Sequence, residues 1–375
     1  MDVFHISAEQ ATLQPDLSDS AFLQGFLWID STHEEVSADP DGWRSKVSAL
    51  TGTQIFDPHL IDIANLAHPS YFDATQDYAM VVFRKLMLGN VPEPIPAQTT
   101  HKRKIPAALS KLVTQPISFI LTDRALITVR NPSSRTVAAA RVRLLEYRSR
   151  PENGSHANRP PQSPEELMLR LLNAMVDQFL ELRQPLTHQL DRWQHALLDP
   201  RRPFKDWVAL LEARIALRRL DNLCEEQHDA MQELRDHFID TRALRDTTAA
   251  DINAAIRAQD LLLVRVNDVM EHIARVLNHA RRLEASLESA VQIHFSAMAH
   301  RTSEIMRTLT VITALFMPLT LVTGIFGMNF VEMPLLKQAY GFWVSIGAMS
   351  TIAIGLVIFF RRKKYLEDQA DLEPH

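Results

Sequence analysis

A row of small, hydroxyl-bearing, sulfur-bearing and amide side chains recurs in this sequence at alternating spacings of three and four residues. A 3.5-residue period keeps such a row on one face when helices associate around a common axis. These side chains bring oxygen and sulfur but no charge, so copies meeting on that axis would enclose a polar, uncharged lining. We call this row the polar stripe; its members are Gln292, Ser296, Ala299, Ser303, Met306, Thr310, Thr313, Met317, Thr320, Gly324 and Gly327.

The polar stripe has two physical interpretations. Small residues and Ser or Thr commonly mark contacts between membrane helices, so the stripe could serve packing alone. Its many positions in register, and its continuation to Asn329, favour the lining of a conduction path instead. The chain offers only two long hydrophobic segments, too few to enclose a path. The conduction hypothesis therefore requires a homo-oligomer.

The stripe lies on a segment that predicts a long helix entering a membrane. No glycine or proline, the usual helix terminators, occurs from Thr247 to Met317. Residues 308–330 carry no charge and are long enough to cross a bilayer core of about 30 Å. The charged part before them must stand in water. The sequence therefore predicts a stalk helix over 247–307, of which the first membrane span, 308–330, is the continuation.

A second apolar segment fixes the predicted orientation in the membrane. Residues 341–360 form this second span, and Arg361, Arg362, Lys363 and Lys364 follow it directly. Adjacent cations mark the cytoplasmic side by the positive-inside rule. The tail 361–375 and everything before the first span are then cytosolic, and only the loop 331–340 lies outside. We expect a multi-pass protein of the inner, or plasma, membrane with both termini in the cytoplasm.

The first 150 residues predict a cytosolic α/β domain. Short β-rich runs begin at Gly25 and Asp77, and the run from Ser118 to Arg130 turns at Thr122-Asp123-Arg124, which predicts a hairpin. The segment 49–66 between the first two runs favours helix. Strands interleaved with helices are typical of a small α/β domain. The proline-rich, basic segment 91–104 is typical of an exposed loop.

A turn-rich linker, 151–163, separates this domain from predicted helices. Ser163 and Pro164 suit the N-cap and first position of a helix. Its periodicity runs to about Leu198, and a second helical stretch runs from Phe204 to about Arg235. With the stalk, the bracing helices of 164–246 predict a cytosolic antiparallel unit. The predicted fold class is thus α+β/α: an α/β domain, a helical stalk and two C-terminal membrane spans.

Composition excludes several functions. The net charge of −5 disfavours nucleic acid as a partner, and a single cysteine, Cys224, excludes a disulfide framework within one chain. Five of the ten glycines lie at or beyond Gly324, which leaves too few upstream for a glycine-rich phosphate cradle. The N-terminus is not typical of a signal peptide, and no clustered catalytic residues stand out. We expect a protein that is not an enzyme and needs no cofactor.

The membrane segment resembles the CorA family of divalent-cation transporters. The resemblance rests on Met317-Pro318-Leu319-Thr320, Gly327-Met328-Asn329-Phe330, Met333-Pro334 and the basic residues after the second span. It is close over about residues 303–366. It implies a funnel-shaped homopentamer whose first span lines the pore and whose second span faces lipid.

Residue roles follow from the resemblance. Gly327, Met328 and Asn329 would form the outer selectivity ring, where Asn carbonyl groups accept hydrogen bonds from the water of a hydrated cation. Glu332 would attract cations at the outer mouth. The remaining pore lining would be Gly324, Thr320, Met317, Thr313, Thr310, Met306 and Ser303. Met306, Leu309 and Met317 would be apolar gates that close by dewetting.

Two departures from the family pattern bear on selectivity and regulation. Leu335 and Val331 stand where magnesium-transporting members often carry outer-loop acids, which leaves Glu332 as the one carboxylate. Gln292 replaces a regulatory stalk carboxylate, with Glu284 and Glu288 the nearest stalk acids. The sequence leaves open three alternatives to regulation by a stalk carboxylate: another sensor site, proton coupling, or no gating by the ion.

The sequence leaves three functions to compare. Mg²⁺ or Co²⁺ is favoured as the transported ion, with Ni²⁺ and Zn²⁺ as competitors. A zinc transporter of the ZntB type, with or without proton coupling, is the first alternative, although the loop after Asn329 lacks that branch's glycines and His294 and His300 form no zinc motif. The second is a membrane-anchored sensor or scaffold that does not conduct.

Overall fold

The computed structural model describes residues 1–7, 11–13, 25–86, 113–146, 160–199, 204–244, 252–328, 338 and 340–363. The contacts within the chain divide the protein into two compact units, residues 1–288 and 289–375. The first unit contains a sheet and the helices around it. The second contains the most apolar part of the chain.

Within the described residues, seven strands form one mixed sheet. The strands are β1 (Asp2–Ile6), β2 (Ala11–Leu13), β3 (Phe26–Thr32), β4 (Tyr71–Ala74), β5 (Ala79–Leu86), β6 (Thr114–Leu121) and β7 (Ala125–Arg130). Their spatial order is β2-β1-β3-β7-β6-β5-β4. The β3–β7 pair is parallel, and every other neighbouring pair is antiparallel. The predicted hairpin is confirmed, because β6 and β7 pair around Thr122, whose amide donates to the Ala125 carbonyl.

Three short helices cover one face of this sheet: α1 (His33–Ala38), α2 (Pro40–Thr51) and α3 (Asp57–Ala64). Local sequence sets their ends. Thr32 and Glu35 form a reciprocal capping box at the start of α1, and Gly52, with φ of 74°, ends α2 in the left-handed conformation. Helices α1–α3 bury Val36, Trp43, Val47, Leu60 and Ile63 against Leu27, Ile29, Met80, Val82, Ile120 and Ile127 of the sheet.

Helices α4 (Arg135–Glu146) and α5 (Pro164–Glu181) follow β7 in the sequence. Helix α5 packs on the sheet, where it contacts β3, β5, β6 and β7. The predicted start of α5 is confirmed: the Ser163 side chain accepts a hydrogen bond from the Glu166 amide, and Pro164 occupies the first turn. The prediction of a single helix from Pro164 to about Leu198 is wrong. The structure has α5, a break at Leu182, and α6 (Arg183–Leu198). Pro185 explains the break, because it lacks the amide hydrogen that would bond the Glu181 carbonyl.

Helices α7 (Trp207–Leu244) and α8 (Ile252–Phe326) complete the first unit and continue the chain into the second. Antiparallel contacts join α7 to the first part of α8, since Arg281 bonds Asp221 at 2.8 Å while Gln259 bonds the Phe238 carbonyl at 2.5 Å. Helices α5 and α6 run parallel to α8, as the Arg265–Glu166 (2.8 Å) and Gln194–Ser286 (2.5 Å) contacts require. Three helices rather than the predicted two thus brace the stalk. Helix α9 (Gly341–Arg362) follows in the second unit.

Candidate functional site

Helix α8 positions the polar stripe. Every stripe member from Gln292 to Gly327 is exposed in the single chain. Asn329 and Glu332 lie outside the described residues, as do Leu335 and Lys364. Of the predicted selectivity ring, the structure therefore describes Gly327 and Met328, just beyond the last helical residue, Phe326. The Gly327 amide donates to the Thr323 carbonyl at 2.9 Å, so the backbone keeps its helical hydrogen bond at this residue.

The side of α8 away from the stripe is less exposed. Val311 is buried, and the residues that follow it along that side are partly covered: Ala314, Leu315, Pro318, Leu319, Val322 and Phe326. Helix α9 has a similar row at spacings of three and four: Gly341, Ser345, Met349, Ala353, Leu356 and Phe360. The apolar rows are thus partly covered within the second unit, whereas the polar stripe is not.

An open groove of about 780 Å³ follows the stripe near the end of α8. Its lining combines stripe members with apolar neighbours: Ile312, Thr313, Phe316, Met317, Thr320, Leu321, Gly324, Ile325 and Met328. The structure therefore brings Thr313, Met317, Thr320 and Gly324 onto one surface. Met306, Thr310 and Ser303 share the exposed face but do not line this groove.

The three threonine hydroxyls of the polar stripe bond backwards to their own helix. Thr310 donates to the Met306 carbonyl at 2.7 Å, Thr313 to Leu309 at 2.8 Å and Thr320 to Phe316 at 2.8 Å. A hydroxyl whose hydrogen is used in this way keeps its oxygen lone pairs free to accept. These side chains therefore offer hydrogen-bond acceptors to water molecules.

The predicted gate residues are large, apolar and uncovered. Met306 is 57% exposed, Leu309 54% and Met317 67%. They belong to a continuous row of exposed apolar side chains along α8, and contiguous apolar patches of this kind mark surfaces that contact lipid or another protein.

The two glycines of the stripe differ in their surroundings. A Cβ on Gly324 would meet no atom within 4 Å, whereas one on Gly327 would lie 3.1 Å from the Thr323 carbonyl oxygen. Gly324 is therefore not required for packing inside the chain.

The stalk acids near the predicted regulatory position have partners that sequence reasoning missed. Arg214 contacts Glu288 at 3.4 Å and Glu284 at 3.6 Å, and Arg218 contacts Glu284 at 3.5 Å. The antiparallel pairing of α7 with α8 brings these groups together. The i, i+4 spacing of the two arginines on α7 was the available signal, but it required knowledge of the helix register.

The described residues contain no group of three or more His, Cys, Asp or Glu side chains that could hold a metal ion. His300 lies 3.9 Å from Glu304 on an exposed part of α8. Cys224 is buried in α7, where burial raises the pKa of its thiol to about 12 and suppresses its reactivity. The described side chains thus offer oxygen groups along α8 rather than a multidentate metal centre.

Two helices are long and apolar enough to cross a membrane in the described chain, one within Ile256–Phe326 and the other Gly341–Arg362. Arg361 and Arg362 occupy the last turn of the second helix, and Lys363 follows as its C-cap. This distribution places the positive charges at one end of the second candidate span.

Comparison with known proteins identifies the family. Residues 44–362 match the family described as CorA-like Mg²⁺ transporter protein. The cobalt/magnesium transport protein CorA of Thermotoga maritima is 28% identical over 200 residues, which cover 53% of this chain and 52% of that protein. The alignment thus spans about half of that relative. The magnesium transport protein CorA of Haemophilus ducreyi is 27% identical over 251 residues, 67% of this chain and 71% of that protein.

A solved structure shares the fold. The CorA magnesium transporter of Methanocaldococcus jannaschii matches with a TM-score of 0.64 at 17% identity, over 96% of this chain and 98% of that one. The likeness covers both the N-terminal α/β domain and the two C-terminal apolar helices. Since the family match extends over most of the sequence, from α2 to the end of α9, the chain belongs to the family of CorA-like Mg²⁺ transporter proteins.

Proposed function

We propose that this protein is a homopentameric membrane channel that passes hydrated divalent cations down their electrochemical gradient. The observation that carries the proposal is the exposure of the whole described polar stripe on α8 in a chain that matches the CorA family over residues 44–362. A surface rich in hydroxyl and sulfur groups gains little from lipid. Its natural environment is a water-filled axis shared by several copies.

The requirement for several copies follows from the number of spans. Two candidate membrane helices cannot enclose a path, and no described part of the chain covers the polar stripe. Cyclic symmetry would place one stripe from each subunit around a central axis. The pentameric number comes from the family resemblance, in which α8 lines the pore and α9 faces lipid.

Selection would occur at a ring of Asn329 side chains. Gly327 and Met328, which precede Asn329, would position it at the outer end of the pore. Mg²⁺ gives up its water reluctantly, so amide oxygens that accept hydrogen bonds from a retained hydration shell cost less than a dehydrating cage. Glu332 would raise the local cation concentration at the mouth. Because Asn329 is uncharged, selection would depend on hydration geometry more than on net charge.

Conduction and gating would use the remaining stripe. Thr320, Thr313 and Thr310 would pass the hydrated ion from one set of hydroxyl oxygens to the next, followed by Ser303. Met317, Met306 and Leu309 would close the path when their apolar side chains approach and expel water. The exposure of these three side chains in the single chain supports this arrangement.

Mg²⁺ and Co²⁺ are the favoured cargo. The relatives described above are named as cobalt/magnesium and magnesium transport proteins. Oxygen ligands suit Mg²⁺, whereas Zn²⁺ favours nitrogen and sulfur ligands, which the stripe does not supply in tetrahedral number. The protein would lie in the inner membrane with α9 ending at Arg361 and Arg362 on the cytoplasmic side.

The test is uptake into proteoliposomes containing the full chain, with Mg²⁺, Co²⁺, Ni²⁺ and Zn²⁺ supplied singly and in competition, with and without a pH gradient. Asn329→Ala should abolish Mg²⁺ and Co²⁺ uptake while the oligomer persists by native mass measurement. The exposed Asn222→Ala on α7 is the matched control and should transport normally. Absence of flux in the wild-type pentamer, or a dimer or trimer with no flux, would instead support a non-conducting scaffold.

A further inference from the structure

Lys85, near the end of β5, is a buried lysine in an environment that disfavours its charge. Its side chain is 3% exposed. Within the described residues, Nζ donates to two neutral hydroxyls, the Ser134 Oγ at 3.0 Å and the Thr136 Oγ1 at 3.3 Å. No carboxylate of the described chain forms an ion pair with it. A buried ammonium without an anionic partner is uncommon, because the loss of water is not offset by Coulomb attraction.

The charged groups that face Lys85 are themselves cations. Arg130 on β7 and Arg135 at the start of α4 both repel the ammonium. The carboxylate of Asp30 on β3, which pairs with the same Arg130, is bound by Arg130 at 2.8 Å and by Arg141 at 3.3 Å. Burial first, and then these two arginines, lower the pKa of Lys85 to about 8.

The position of the two hydroxyls also disfavours the positively charged form of Lys85. Ser134 directly precedes α4, and its carbonyl accepts from the Ala138 amide, as an N-cap carbonyl does. Lys85 Nζ therefore sits at the N-terminal end of α4. The peptide dipoles give that end partial positive charge, which further disfavours a cation.

The hydroxyl of Thr136 extends the cluster to α5. Gln178 on α5 donates from Nε2 to Thr136 Oγ1 at 2.7 Å, while its own Oε1 is buried without a hydrogen-bond partner in the described chain. Gln115 pairs with Lys85 in the β5–β6 ladder, and its Oε1 is also buried without a hydrogen-bond partner in the described chain. Lys85, Ser134, Thr136 and Gln178 thus link β5, α4 and α5 through one polar cluster.

We propose that Lys85 is a proton-sensitive switch in the α/β domain, and that its protonation weakens the docking of α4 and α5 on the sheet. In the neutral form, the amine nitrogen accepts a hydrogen from a neighbouring hydroxyl, and no charge faces Arg130, Arg135 or the helix end. In the protonated form, three donors and a buried positive charge must be accommodated by two hydroxyl oxygens. This inference does not depend on the transport proposal.

Hydrogen exchange of the full-length protein in detergent micelles tests the switch. An opened chain returns Lys85 to water and to its ordinary pKa, so it binds the proton more strongly than the folded state. Opening must then become more frequent as pH falls toward 8. After correction for intrinsic exchange rates, linkage gives an increase of about tenfold in the opening constant of α4 and α5 amides from pH 9 to pH 7.

Lys85→Met removes the titrating group and should abolish this pH response, whereas Lys46→Met, at an exposed lysine on α2, should retain it. An unchanged response in Lys85→Met would overturn the proposal. If Lys85→Met does not fold, the wild-type protein decides alone. Equal pH responses of α2 amides and of α4 and α5 amides would then refute a local switch.

Discussion

The hydroxyl of Thr320 donates a hydrogen bond of 2.8 Å to the carbonyl of Phe316, one turn earlier in α8. The hydroxyl oxygen keeps its lone pairs free to accept a hydrogen bond. Thr351 on α9 has the same geometry, with a 2.8 Å bond to the Gly347 carbonyl. The two threonines are therefore equivalent in their own helices and differ only in the surface to which they belong.

Thr320→Val should lower Mg²⁺ uptake at least about fivefold, because each subunit loses one hydrogen-bond acceptor for the hydrated ion and a single such bond contributes about 1 kcal/mol. Uptake into proteoliposomes measures this effect. Thr351→Val, the control, removes an equivalent hydroxyl outside the stripe and should transport as the wild type does. Equal losses in the two variants would indicate a general effect on helix stability and would contradict a role for Thr320 in the pore.

Gly324 gives a second comparison of the two membrane helices. Neither Gly324 nor Gly355 would bring a new Cβ within 4 Å of another group in the chain. Alanine should therefore be tolerated by the protomer at both positions, with a slight gain in helix propensity. If the stripe surrounds a narrow axis, Gly324→Ala should reduce flux severalfold and Gly355→Ala should not. Single-channel or liposome flux, at equal pentamer yield, distinguishes the two results.

Much of the local structure follows from short-range signals in the sequence. Thr122-Asp123-Arg124 predicts the turn of the β6–β7 hairpin, and Ser163-Pro164 predicts the start of α5; both are confirmed. Hairpins and caps depend on residues a few positions apart, so a single sequence contains the necessary information.

Long-range pairings were not predictable in the same way. The parallel neighbours β3 and β7 are nearly a hundred residues apart, and β1, a five-residue strand, gave no clear alternation of its own. The contacts of Arg214 with Glu284 and Glu288 depend on the register between α7 and α8. Register is set by packing of whole faces, which neither helix specifies alone. For the candidate site, periodicity predicted a shared face, but the selectivity role of Asn329 stays a prediction.

Asp30 and Arg130 provide a test of the α/β domain. Asp30 is 3% exposed and accepts from Arg130 Nη2 at 2.8 Å and from the Thr128 hydroxyl at 2.9 Å, and Thr128 in turn accepts from Trp28. Asp30→Asn should destabilise the folded protein by about 3 kcal/mol, because Arg130 is left buried without its anion. Denaturant unfolding of the full chain measures the loss. Asp41→Asn, which removes an exposed partner of Arg44, should cost less than about 0.5 kcal/mol.

His33 predicts a loss of stability in acid. Its ring is 4% exposed, with Nδ1 3.1 Å from the Ile63 carbonyl oxygen and Nε2 3.2 Å from that of Pro116. Burial lowers the pKa of His33 below its ordinary value, although the two carbonyls act in the opposite direction. The folded state thus binds a proton less readily than the unfolded chain does. The contribution of His33 to stability is present above the ordinary pKa of about 6.5 and is lost as pH falls below it.

The free energy of unfolding, measured from pH 7.5 to 5, should therefore decline as pH falls. The decline should be smaller in His33→Gln and unchanged in His188→Gln, a substitution at an exposed position on α6. Parallel declines in both variants would assign the acid sensitivity to other groups.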